Sequence, residues 1–383
     1  MRIGFFTDYF ISQGVQAGGV GRSVWYLAQE LSKKGHQVFV FTNSISYRDF
    51  VYRYGGLTVI GYAKTMRISN TDLSIKLLYK PLKYDLDVVN AHSGTLSFIA
   101  AFLYSFLKKK ALVFSHHGDY QENHGSLLKK LCMYLWCRNI FPRLLGYVDV
   151  IVALSEQVVE TSKFLRSFNT KITIIPNGID PAYANVKWTK DEAKRIIGVP
   201  VNAKIILFVG SLTKLKGYHI LLRAMKEIIT KVPDAIAIFV GPYVKRQKVL
   251  NGHVIFTGPL SHEELRLYYR AADVFVLPSF SEGFPNVLIE AASFGLPLIV
   301  SDLKQLEAIV IDGFNGLFAK KGDTKSFVEK IFQVLSDDRL REALGKNSKD
   351  FSKRYSWEKV ADKYERVYTQ LLITQKYTGF KNC

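Results

Sequence analysis

A chain of 383 residues, 48% apolar and 22% charged, is long enough to bury two cores, and that balance excludes extended disorder. Its formal charge of +19 is shared, with 21 basic against 12 acidic residues in 1–180 and 31 against 21 in 181–383. The excess attracts anions in general and does not choose among nucleotide diphosphates, anionic lipid and nucleic acid.

Met1-Arg-Ile-Gly-Phe-Phe-Thr7 reads as a strand, too short and too soon polar for a signal-peptide core. No apolar run reaches the roughly 18 to 20 residues that span a bilayer; the nearest, Leu96 to Leu107, reads as a buried crossover helix. Cys132, Cys137 and Cys383 form no zinc or redox spacing, which fits a reduced, cytoplasmic setting.

The first half alternates short apolar runs with helical patterns, the mark of a doubly wound parallel sheet. Ile3–Thr7 is a strand, Ser23–Lys34 a helix closed by Gly35, and Val38–Thr42 the next strand. Between them, Gly18-Gly-Val-Gly21 suits either a close backbone approach to a ligand or a tight turn with positive φ. Its spacing is not the dinucleotide fingerprint. Val88–Asn90 and Ala111–Ser115 are further strands, and the second ends in His116-His-Gly-Asp119 on the carboxyl side of the sheet, where ligands of such folds bind. Residues 126–147 interleave Lys129, Lys130, Arg138 and Arg143 with large apolar side chains. That pattern suits an interfacial helix on an anionic membrane or a packed helix with a solvated charged face. Asp149–Leu154, with Ser155-Glu156 starting a helix, and Lys171–Ile175 complete this half, and Pro176-Asn-Gly-Ile-Asp180 is a turn-rich exit.

The second half begins afresh with the strand Ile205–Val209 and the loop Gly210-Ser-Leu-Thr-Lys-Leu-Lys-Gly217, followed by a helix from Tyr218. A lysine in such a loop neutralises a diphosphate or is simply solvated. Ala235–Val240 and Val254–Thr257 are strands, Gly258-Pro-Leu260 is a turn, and Ser261-His-Glu-Glu264 is a capping box. Val274–Pro278 is a buried strand that leads into Ser279-Phe-Ser-Glu-Gly-Phe-Pro-Asn-Val287 and a helix beginning near Asn286, with Pro285 suited to the first helical position and Gly295 and Pro297 at its stop. The start of that helix offers amides and a positive dipole end to a phosphate. Glu282 in the loop and Glu290 one turn inside are placed to take hydroxyl groups on either side of it.

Set after a buried strand, the glutamate pair of Ser281-Glu-Gly-Phe-Pro-Asn286 and Glu290 resembles the donor-site motif of retaining glycosyltransferases of family 4, and the likeness runs in order from Gly18 to Asp312-Gly-Phe-Asn-Gly316. It implies the GT-B fold: two Rossmann-like, doubly wound parallel-sheet α/β domains facing each other across a deep cleft. Residues 1–182 would bind the acceptor, 183–356 the nucleotide sugar, and 357–383 would form a helix crossing back to the first domain. The same resemblance gives Glu282 the transferred sugar and Glu290 the ribose hydroxyls. Gly283, Phe284, Asn286, Val287 and Leu288 would meet the diphosphate with Lys216, and Pro259 and Leu260 would meet the base. Gly18 and Gly19 would line the donor. Aligned on its glycine, the strand-end histidine near the sugar is His117, with His116 the fallback. Ser211 stands where the family carries an arginine, which removes one bidentate phosphate contact. Asp85-Leu-Asp87 matches the metal-binding motif of a different class of glycosyltransferases, but before a strand it reads as loop punctuation.

The resemblance thus implies a metal-independent, cofactor-free hexosyltransferase that moves sugar from a nucleoside diphosphate to a hydroxyl of a lipid-linked or glycan acceptor. It would work in the cytoplasm or peripherally on the cytoplasmic face of a membrane, through residues 126–147. The rival readings are an epimerase or phosphorylase of the same fold, a basic nucleic-acid-binding protein, for which no module is present, and a dehydrogenase, which lacks its fingerprint.

Overall fold

The computed structural model describes residues 1–8, 10, 19–68, 71–92, 95–119, 127–242 and 252–378, the side chains of 68, 71, 127–129 and 378 excepted. The chain forms two compact units, Met1–Asn177 with Trp357–Cys383, and Gly178–Ser356. The division lies a few residues before the 182/183 boundary expected from the sequence, and the last helix, Trp357–Thr378, belongs to the first unit.

The strands in chain order are β1 Arg2–Thr7, β2 Gln37–Asn43, β3 Phe50–Tyr54, β4 Leu57–Tyr62, β5 Met66–Ile68, β6 Thr71–Leu73, β7 Val88–His92, β8 Ala111–His116, β9 Val150–Ala153 and β10 Ile172–Ile174. Eight of them make one sheet in the order β10-β9-β8-β7-β1-β2-β4-β3, parallel throughout except for the antiparallel edge strand β3. β5 and β6 are a separate hairpin. The period of two along each strand divides the side chains between two cores. Ile3 and Phe5 of β1 face the helix Gly19–Lys33 and the final helix through Val24, Leu27, Val360 and Tyr364, whereas Phe6 faces Phe98 and Tyr104 of the helix Leu96–Lys108. Burial on both faces accounts for the nearly unbroken apolar runs that made these strands readable. Two polar contacts seat the final helix on the sheet: Asn90 Nδ2 donates to Tyr368 Oη at 2.7 Å, and Ser115 Oγ lies 2.9 Å from Tyr364 Oη.

The helix Gly19–Lys33 starts earlier than Ser23, so Gly19 and Gly21 belong to its first turn rather than to a loop. Residues 127–147 do not form one regular helix. An α-helix, Leu127–Leu135, passes through a π-turn, Trp136–Ile140, into Phe141–Tyr147. The extra residue of that turn keeps Trp136, Phe141 and Leu145 buried on one side.

The second unit is a six-stranded, wholly parallel sheet of β11 Lys204–Val209, β12 Ala235–Val240, β13 Val254–Gly258, β14 Val274–Leu277, β15 Leu298–Ser301 and β16 Gly316–Ala319, ordered β13-β12-β11-β14-β15-β16. Its strand order reverses between β11 and β14, as that of the first sheet does between β1 and β7. In open parallel sheets, crevices for ligands form outside the carboxyl ends of the strands at such points.

Candidate active site

The residues that follow β11 and β14 are held together by backbone. Gly217 has φ +67°, and a Cβ there would collide with the carbonyl of Pro278, so only glycine lets the two loops pass. Phe280 N donates to Leu215 O at 2.8 Å, a second tie. Within this frame Lys216 Nζ lies 2.7 Å from both Oε1 and Oε2 of Glu282, and Ser279 Oγ donates to Glu282 Oε1 at 2.6 Å. The Glu282 side chain is 4% exposed and that of Lys216 30%, so the carboxylate is held by its partners while the ammonium still meets solvent. One ammonium between both oxygens of a carboxylate is a charge-assisted contact, which places a point charge at the strand end.

The helix Asn286–Ser293 follows directly. Pro285 is its N-cap (φ −75°, ψ 104°) rather than its first helical residue, it supplies no side-chain cap, and the first turn carries no acidic residue. A helix start that no side chain caps and whose first turn carries no acidic residue favours an anion at its dipole end. Leu288 N donates to Pro285 O at 3.0 Å, so that amide is already engaged by the chain. Glu290 is buried one turn in, with Oε2 accepting from Tyr269 Oη at 2.9 Å. Tyr269 stands on the helix His262–Ala271, which opens with the predicted capping box of Ser261 and Glu264. Phe284 is buried against Tyr355, and Gly283, Asn286 and Val287 are half-buried around the turn. Ser211 is half-buried and accepts at its carbonyl from Thr213 N; Lys214, the other lysine of that loop, is exposed. Pro259 is exposed and Leu260 half-buried just past β13.

In the first unit, His117 follows β8 and its Nε2 lies 3.3 Å from Nδ1 of His92, the last residue of β7. Burial, with His116 nearby, pushes His117 down to about 3, so the ring is neutral at physiological pH. His116 Nε2 lies 3.1 Å from Asp119 Oδ1. Asp119 also accepts from Ser162 Oγ at 2.6 Å and Lys163 N at 2.8 Å, and despite its burial these contacts hold its carboxyl below the usual range. Of the two histidines, then, His116 is tied to its own loop and His117 to the neighbouring strand. Gly18 lies outside the described residues, and Gly19 is in the first turn of its helix, where its carbonyl accepts from Ser23 Oγ.

Asp85 and Asp87 secure the start of β1: Arg2 Nη1 donates to Asp85 at 2.9 Å and Arg2 N to Asp87 at 2.6 Å. Among the described residues no group of three or more His, Cys, Asp or Glu is placed to hold a metal, and no helix is long and apolar enough to cross a membrane. Sequence reading missed Ser279, Tyr269 and His92. Ser279 stands three residues before Glu282 and could have been found from that spacing, whereas Tyr269 and His92 reach their partners from other elements.

The profile of the family described as "Glycosyltransferase Family 4" matches residues 17–183, and that of "Glycosyl transferases group 1" matches residues 189–351. An uncharacterised glycosyltransferase of Methanocaldococcus jannaschii is 32% identical over 64% of this chain and 71% of its own length. The chain belongs to the group 1 glycosyltransferases. Another relative of this family, the D-inositol 3-phosphate glycosyltransferase of Corynebacterium urealyticum, is 32% identical over 66% of the chain and 62% of its own length. Among solved structures, Anabaena HepE in complex with UDP-glucose superposes with a TM-score of 0.73 at 18% identity, covering 97% of this chain and all of the other. That likeness carries the GT-B fold, and the matched profiles carry the transferase activity.

Proposed function

We propose that this glycosyltransferase moves a hexose from a nucleoside-diphosphate sugar to a hydroxyl of a lipid-linked or glycan acceptor, with retention of configuration and without a metal or cofactor. The observation that carries the donor reading is the Lys216–Glu282 contact beside the uncapped start of the helix Asn286–Ser293. A diphosphate at that helix start would meet a fixed ammonium and the dipole end, which together stabilise the negative charge that grows on the leaving group as the glycosidic bond breaks. The charge that other transferases supply with a divalent ion is here supplied by Lys216. Glu282, held by Lys216 and Ser279, is a sugar-binding group rather than a covalent nucleophile, and the front-face displacement that this implies retains the anomeric configuration. Glu290, set by Tyr269, takes the ribose, and Pro259 and Leu260 lie toward the base. His117, Gly18 and Gly19 are the substrate-facing residues of the first unit. HepE, solved with UDP-glucose, and the corynebacterial relative, named for inositol phosphate, support a nucleotide-sugar donor and a hydroxyl acceptor.

Titrating UDP-, GDP- and ADP-sugars while following the melting temperature identifies the donor, and release of the matching diphosphate on adding acceptor shows transfer. Stabilisation by one donor class, with turnover unchanged by EDTA, is expected. No stabilisation by any of the three, or loss of turnover on chelation, would refute the reading.

A further inference from the structure

His92 has no part in the chemistry assigned so far. It closes β7 at the switch point of the first sheet and is 2% exposed, with the ring of Phe5 edge-on at 4.7 Å and that of Tyr364 at 6.5 Å. Its Nδ1 lies 3.3 Å from Nε2 of His117, the two ring centroids 5.6 Å apart. Its Nε2 is buried and, among the described residues, meets no hydrogen-bond partner.

Burial holds both rings neutral, so each carries a single proton. Two arrangements then satisfy the contact. If His117 donated from Nε2, the proton of His92 would sit on its own Nε2, a buried N–H that meets no acceptor among the described residues. If His92 donates from Nδ1, only a lone pair at Nε2 is left bare, and orphaned acceptors are tolerated more readily than orphaned N–H groups. We infer that His92 is a positioning residue: its Nδ1–H donates to Nε2 of His117 and so keeps the His117 proton on Nδ1, the form in which that ring hydrogen-bonds the substrate. In a paired histidine, the partner of one nitrogen fixes the role of the other. The inference rests on the substrate-facing role proposed for His117, and it adds which nitrogen performs it and what sets that choice.

Long-range proton–nitrogen NMR spectra of the protein labelled at histidine report the protonated nitrogen directly. Proton on Nδ1 and bare Nε2 in both rings is expected; proton on Nε2 of His117 would overturn the inference whatever the activity. The kinetic arm uses the sugar nucleotide that gives the largest thermal shift. His92→Asn keeps an amide N–H at the Nδ1 position and should retain turnover. His92→Phe and His92→Gln lack that donor and should lose kcat by roughly ten- to a hundredfold with little change in donor KM. Equal activity of the Asn and Phe variants, at equal melting temperatures, would overturn it. Full turnover by His117→Ala would remove the role of His117 itself, a failure that the spectra distinguish from a misplaced proton.

Discussion

Glu282 is a nearly buried carboxylate with three short contacts, two from Lys216 and one from Ser279. Lys216→Ala would leave it with Ser279 alone. A buried charge that loses one partner costs about 1–3 kcal/mol, reduced here because Lys216 is partly solvated. The larger effect should be kinetic: loss of a preorganised cation facing the leaving diphosphate is expected to lower kcat about a hundred- to a thousandfold, measured by diphosphate release. Ser279→Ala should reduce turnover while leaving the Lys216 contact in place. The histidines predict a pH dependence. An unfolded histidine titrates near 6.5, whereas His117 is held down to about 3 and His92 well below its ordinary value. Below about 6.5 the unfolded chain therefore binds more protons than the folded one. Stability should be flat above that pH and should fall on acidification through it, by up to about 1.4 kcal/mol per pH unit per buried ring. Urea midpoints between pH 7.5 and 5 check this, and His92→Asn should flatten the slope. At this scale the sequence singled out Lys216, Glu282 and Glu290 as candidates but not what holds them. Lys216 and Glu282 are 66 positions apart, and Tyr269 and His92 come from separate elements.

The elements that build the site are short loops at strand ends, and one glycine joins two of them. Gly217→Ala forces a left-handed residue to carry a Cβ against the Pro278 carbonyl. The expected cost is about 2–4 kcal/mol, with donor binding lost because Lys216 would move away from Glu282; denaturant unfolding and donor titration of the same variant test both. Strands buried on both faces were legible because a short apolar run that ends at a glycine or a polar turn suits little besides the interior of a parallel sheet. β3 to β6 were not. β3 is an edge strand with Val51, Tyr52 and Tyr54 exposed, so neither periodicity nor a continuous run marks it. The π-turn at Trp136–Ile140 was also invisible, since an extra residue in a helix leaves composition unchanged.

For the molecule as a whole, the alternation of strand and helix in each half foretold two parallel sheets, and the order of strands within each came only from the structure. Charge is the other global feature. The segment 126–147, which the sequence reads as either an interfacial helix or a packed one, exposes Leu131, Tyr134, Leu135, Ile140 and Tyr147, with Lys130, Arg138 and Arg143 also exposed. Flotation with vesicles containing phosphatidylserine should carry the protein up at low salt and lose it as salt screens the surface, and exchanging Leu131, Leu135 and Ile140 for serine should weaken it at every salt concentration. Flotation that neither salt nor these exchanges alter would rule out this surface. The central claim is that the Lys216–Glu282 corner and the helix beginning at Asn286 hold an activated sugar. A crystal structure with the stabilising sugar nucleotide tests it most directly. The diphosphate is predicted within hydrogen-bond distance of Lys216 Nζ and the first-turn amides, with the ribose on Glu290. A donor bound away from residues 279–290 would contradict the account.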